Sequence, residues 1–307
     1  MAWEYEMLFD VDDMDGLTPM ERVTAMEQGD RWKPEGTGIR KGRMGYRTRT
    51  IKAGPRLEAE IYPIFGREQE ERARAARASL TPEKIQRHND EQARRNLVRL
   101  MDANFGENDL SLTLTYAGQA PGFRQVIRDT KNFIARVRRQ RKKLGLPEMK
   151  YIYAVEDVEE GRAKNTHVHL VTTGDLPAEE LRRIWEKGRG WAGQHGFCDC
   201  DRLQPGKEGL EALARYIYDQ NRGRTREKGQ RKYSCSKNLK KPKTRISDTK
   251  VTASRVKRLS RVFMSDEAEA RRIMEQIYPG YEFVRGSARG SDIIEGVYVR
   301  VLMRRRE

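Results

Sequence analysis

The chain has 307 residues, enough for one large domain or a core with additions, and its 62 Lys and Arg against 46 Asp and Glu give a formal charge of +16. That excess suits a polyanionic partner, because each cation that meets a phosphate releases a counterion, but ribosomal and chromatin proteins are equally basic, so charge alone names no enzyme. No apolar run reaches the roughly 18 residues a membrane span needs, the acidic start MAWEYEMLFDVDDMDG has no signal-peptide pattern, and three cysteines make no disulfide framework, so the expectation is a cytosolic chain with reduced thiols.

Residues 1–80 are rich in Gly, Arg and Glu, and only LEAEIYPIF (57–65) reads as strand. A helix is expected over 82–105, with Thr81 as cap, Pro82 at its first position and Gly106 at its exit. LSLTLTY (110–116) alternates as a strand with leucines on one face. A basic helix follows over 122–144, with Val126, Phe133, Ile134 and Val137 toward a core. YIYAVED (151–157) and THVHLVTT (166–173) read as strands joined by a short charged turn, hence a hairpin. Then come a helix over 178–187, a strand FCDCDRL (197–203) and a helix over 207–220. The order β-α-β-β-α-β, then α, predicts an α+β, ferredoxin-like core: an antiparallel sheet with helices on one face and the other open to a ligand.

Between Arg222 and Arg245 lie eleven Lys or Arg and one acid, Glu227, so 221–246 reads as a solvated loop or a DNA-contacting arm. The arm reading assigns DNA contacts to Arg222, Arg224, Arg226, Arg231, Lys232, Tyr233, Lys237, Lys240 and Lys241, with the tyrosine interleaved among cations. The tail, 266–307, reads as one helix and two strands. The expected domains are a 1–105 extension carrying the basic helix, a 106–246 core with its arm, and a 247–307 αββ segment. No repeat and no G-x-x-x-x-G-K-[ST] motif occurs, so no P-loop motor is attached.

His167 and His169 flank Val168 on an expected strand, where residues i and i+2 share a face, so both imidazoles can meet one metal ion. Taken alone, the pair fits two solvated polar histidines equally well. Glu156, near the end of the partner strand, offers a third and harder ligand suited to Mg²⁺ or Mn²⁺, or is simply a surface acid; Asp157 points to the opposite face. His195 is read as structural and His88 as exposed. The helix at 207–220 carries Tyr216 and Tyr218, about 200° apart around its axis, so only one can face the metal. Both flank the stripe of Leu210, Leu213 and Ile217, and helical geometry does not choose between them. A metal-polarised phosphate would make attack by a phenolic oxygen feasible.

T-H-V-H-L on a strand resembles the His-hydrophobe-His motif of the HUH endonuclease superfamily. LSLTLTY resembles that superfamily's first apolar strand, YIYAVE its strand ending in a ligand carboxylate, and LARYIYDQ its tyrosine helix. YSCSKNLKKP (233–242), LEAEIYPIF and NFGENDLSLTLTY are similar to replication proteins of bacterial plasmids, phages and mobile elements. The resemblance implies a ferredoxin-like core, Mg²⁺ or Mn²⁺ on His167, His169 and Glu156, and Tyr216 as nucleophile with Tyr218 as the alternative. It further implies rolling-circle initiation in a bacterial cytoplasm. Single-stranded or hairpin origin DNA is nicked, leaving a 5′-phosphotyrosine and a 3′-OH, and a host helicase and polymerase follow. One departure is Asp219, where many single-tyrosine members carry lysine; Arg215 or Arg222 is the available cation.

Relaxases and single-tyrosine transposases of the same superfamily are rival readings, as is a non-catalytic basic nucleic-acid-binding protein. Cys198, Cys200 and Cys235 lack a C-x-x-C knuckle, and ordinary reduced thiols are expected rather than zinc ligands with His195.

Overall fold

The computed structural model describes residues 45–64, 66–68, 71, 75, 81–117, 121–156, 166–187, 195–219, 232–290 and 296–306. In chain order the elements are β1 (Tyr46–Ala53), β2 (Arg56–Pro63), α1 (Pro82–Asn104), β3 (Leu110–Tyr116), α2 (Phe123–Lys143), β4 (Tyr151–Glu156), β5 (His167–Thr172), α3 (Ala178–Glu186), β6 (His195–Arg202), α4 (Glu211–Asp219), β7 (Ser234–Cys235), β8 (Lys243–Ser247), α5 (Ala253–Ser265), α6 (Glu267–Ile277), β9 (Tyr281–Gly290) and β10 (Val297–Arg305). The fold is α+β, with two five-stranded antiparallel sheets among the described residues. It falls into two compact units, one of residues 45–52, 56–93 and 243–306, the other of 53–55 and 94–242.

The sheet of the second unit runs β6-β3-β5-β4-β7. Its first four strands in chain order therefore sit as fourth, first, third, second, the split βαβ arrangement. Leu110, Leu112 and Leu114 alternate inward from β3, as the sequence pattern predicts. They meet Val126, Phe133, Ile134 and Val137 of α2 and Leu181 and Trp185 of α3 in one core. Each such buried side chain contributes about 1.5–3 kcal/mol. Trp185 also donates its indole N–H to the Thr115 carbonyl, 3.1 Å away, pinning the end of β3.

The second face of this sheet is not open throughout. Ile152, Ala154 and Val171 lie on it and are no more than 1% exposed. That is why β4 and β5 are buried on both faces, whereas β3 is buried on one. The open part is the β3–β6 side, where Asp199 and Asp201 are exposed.

The sheet of the first unit runs β8-β1-β2-β10-β9. Leu57, Ala59 and Ile61 of β2 and Val299, Val301 and Met303 of β10 face α5 and α6 through Val256, Leu259, Ile273 and Met274. The 46–63 hairpin and the C-terminal strands thus build one sheet, rather than a separate extension and αββ tail. The tail also carries two helices instead of one. Thr252 caps α5 by accepting from the Arg255 amide at 3.4 Å, and Asp266 caps α6 by accepting from the Glu269 amide at 2.9 Å. No helix among the described residues is long and apolar enough to cross a membrane.

Candidate active site

Glu156 closes β4 and His167 opens β5, and the two are direct cross-strand partners. Opposed residues on antiparallel strands share a face, and His169, two positions on, shares it too. The other face of the same segments carries Val155, Val168 and Leu170 into the core, which holds the register. The Glu156 Oε2 atom lies 3.0 Å from His167 Nε2 and 3.2 Å from His169 Nε2. The imidazole centroids are 4.8 Å apart, with ring planes inclined at 78°. Glu156 and His169 are buried and His167 is half-buried.

These three side chains can hold one metal ion, since their ligand atoms all lie within 4.8 Å of one another, and among the described residues they are the one such group. Two ligands about 2.1 Å from one ion at a right angle stand about 3 Å apart, close to the separations found here. Burial holds the pKa of His169 below its usual value, against the opposing hydrogen bond with Glu156. A neutral imidazole keeps the lone pair that a metal needs. The donor set, two nitrogens and a hard oxygen, fits a divalent cation with open positions.

The helix with the two tyrosines starts later than 207. Gly206 and Gly209 pair in a tight turn, and Gly209 adopts φ +69°, a left-handed conformation suited to glycine. A Cβ there would fall 2.4 Å from the Asp102 carboxylate. Asp102, buried on α1, accepts the Leu210 amide at 2.8 Å through Oδ1, placing negative charge at the helix N-terminus. Sequence reasoning missed this residue, because α1 was read for its apolar stripe and the contact spans 108 positions.

From α4, the ring of Tyr216 stands 5.1 Å from that of His169, edge to face at 76°. Tyr216 is half exposed. Tyr218 is 3% exposed, and Lys232 Nζ sits 4.7 Å over its ring. The structure therefore brings Tyr216, and not Tyr218, against the imidazoles. Asp219 lies 4.0 Å from Arg94, while Arg215 pairs with Glu211 at 3.1 Å.

Of the proposed DNA-contacting arm, Arg222, Arg224, Arg226 and Arg231 lie outside the described residues, as does Asp157. Lys237, Lys240 and Lys241 are exposed, and Tyr233 is partly buried, which raises its phenol pKa. The arm is not a plain loop: β7 joins the sheet beside β4, and Lys240 is bound through both its amide and its carbonyl to Asn104, at 2.7 and 2.9 Å. His88, expected to be exposed, is buried on α1.

The cysteines do not converge. Cys198 and Cys200 pair with Leu114 and Leu112 on the core face, while Cys235 pairs with Ile152 on the other. Burial pushes the Cys198 thiol up to about 12, which makes it inert near neutral pH.

Fold and site together define an α+β chain with a buried Glu/His/His group that can hold a metal. Within it, residues 109–221 match the family model described as replication-associated protein ORF2. The match runs from β3 through α4 and so takes in Glu156, His167, His169, Tyr216 and Tyr218. It supports a replication initiator family and, with it, DNA as the partner. No curated protein and no solved structure matches the chain.

Proposed function

We propose that this chain is a replication initiator of the HUH endonuclease superfamily that nicks single-stranded origin DNA with Tyr216. The observation that carries the reading is the Tyr216 ring 5.1 Å from His169, on the face where Glu156 and His167 converge. A bound Mg²⁺ or Mn²⁺ would supply Lewis-acid polarisation of the scissile phosphate. His167, His169 and Glu156 are its ligands, oriented by the paired ends of β4 and β5.

The Tyr216 oxygen bonds to phosphorus as the phosphorus–O3′ bond breaks. The phenolic proton leaves to solvent and the departing 3′ oxygen takes one up, so the products are a 5′-phosphotyrosine and a free 3′-OH. The covalent link conserves the phosphodiester for later rejoining. The 3′-OH primes a host polymerase behind a host helicase. Lys237, Lys240 and Lys241, with the cations of 222–232, bind the DNA backbone.

The test is incubation of the full chain with Mn²⁺ and single-stranded oligonucleotides tiled across the DNA that flanks its coding sequence. A covalent adduct forms on one of them, disappears in Tyr216→Phe and persists in Tyr218→Phe. Binding of every oligonucleotide without cleavage would leave a non-catalytic binding protein, and the reverse tyrosine pattern would move the nucleophile.

A further inference from the structure

Two large aromatic side chains are exposed among the described residues: Tyr216, and Phe197 at 77%. Phe197 lies on β6, the edge strand of the sheet that carries the metal-ligand group. The register fixes its direction. Cys198 pairs with Leu114 on the core face, so Phe197 projects from the opposite face, as Glu156, His167 and His169 do.

The strand is built to display this ring. Between Leu114↔Cys198 and Tyr116↔His195 the register shifts, so that Gly196 and Phe197 together oppose Thr115. Such a bulge on an edge strand re-aims a side chain. Gly196 permits it by close approach, since a Cβ there would lie 2.7 Å from the Tyr116 carbonyl carbon. Thr115 donates its hydroxyl to the Phe197 carbonyl at 3.0 Å, while Trp185 holds the Thr115 carbonyl at 3.1 Å.

The position matters as much as the exposure. Leu114 pairs with Val168, so Thr115 is next in register to His167, which itself faces Glu156. Glu156, His167, Thr115 and Phe197 thus form one row across four strands. Phe197 stands two strand spacings from His167, about 10 Å. The open face beside it carries Asp199, directly across from Thr113, and Asp201. These acids repel phosphate, so a strand lying here is held through its bases. A carboxylate also accepts from exocyclic amines such as cytosine N4.

We propose that Phe197 is a stacking platform for an unpaired nucleobase of single-stranded DNA, within a nucleotide or two of the phosphate at the Glu/His/His group. The proposal rests on the nicking reading for which strand lies over the sheet. Stacking on an aromatic ring is tolerant of base identity and needs an unpaired base, so it selects single strands over duplex.

The full chain is titrated, in EDTA, with a fluorescein-labelled single-stranded mixed-sequence oligonucleotide and with an abasic oligomer of the same length and charge. The wild type prefers the base-bearing strand. Phe197→Ala binds that strand roughly tenfold more weakly and leaves abasic binding unchanged, while Phe197→Trp keeps the preference. An unchanged preference in Phe197→Ala overturns the proposal, and if that variant alters self-association instead, the ring is a protein contact. Because cleavage is excluded from this titration, lost preference in a chain that forms no adduct sinks only the nicking reading. Adduct formation with preference unchanged sinks only the stacking.

Discussion

The two sheets share a plan: five antiparallel strands with two helices packed on one face. They differ on the face away from those helices. In the first unit, Arg49 and Arg300 meet Glu60 at 3.2 and 3.8 Å, and Arg56 meets Glu58 at 2.5 Å. An arginine is always charged and carries only donors, so each carboxylate there is answered and the face closes on itself. In the second unit, one carboxylate faces two imidazoles, and burial disfavours the protonated form of His169. Neutral imidazoles bring lone pairs rather than charge. A cluster that collects lone pairs on a buried face makes sense when a cation completes it. The same geometry of acid beside base is structural in one sheet and a binding site in the other, and the difference is whether the base is permanently charged.

That contrast can be broken by mutation. Glu60→Ala leaves two arginines without their acid on a partly buried face and costs about 3 kcal/mol of stability, read by chemical denaturation, with Mn²⁺ binding by the folded protein unchanged. A loss of metal binding in that variant would show that the two acids are not distinct in kind. A smaller effect sharpens the picture within the second unit. Asp102→Ala leaves the Leu210 amide without its acceptor at the start of α4 and costs about 1–3 kcal/mol. Adduct formation slows in it with the Mn²⁺ affinity retained, because the tyrosine helix loosens while the ligands stay. Asp102→Asn, which keeps an acceptor oxygen, recovers most of the rate. If both variants matched the wild type in stability and rate, Asp102 would not position the helix.

How much was legible follows from how local each feature is. The β3 leucines alternate, and the short charged turn between β4 and β5 makes their hairpin readable, so Glu156 could be set beside His167 from sequence alone. The H-x-H spacing does the rest, because a strand repeats every second residue. Tyr216 and Tyr218 could not be separated that way, since both flank the same apolar stripe. What distinguishes them is tertiary: α4 lies with Tyr216 toward His169, and Lys232 covers Tyr218. The first unit was less readable for the same reason. In β1, YRTRTIKA mixes Thr and Arg with few apolar residues, and β2 pairs with β10 some 240 positions downstream. The helix α5 was overlooked because its arginines mask the Val256, Leu259 and Val262 stripe that the core receives. Phe197 gave no sequence signal of its own; its display depends on a register shift that only strand pairing reveals.

The central claim is that Glu156, His167 and His169 are metal donors rather than a satisfied polar trio. Mn²⁺ titration of the metal-free full chain, followed by electron paramagnetic resonance, tests it without reference to cleavage. The account predicts one bound Mn²⁺ per chain, with affinity falling in folded His169→Ala by more than the roughly 10–100-fold typical of losing an outer-shell partner. Unchanged Mn²⁺ binding by that variant would contradict it.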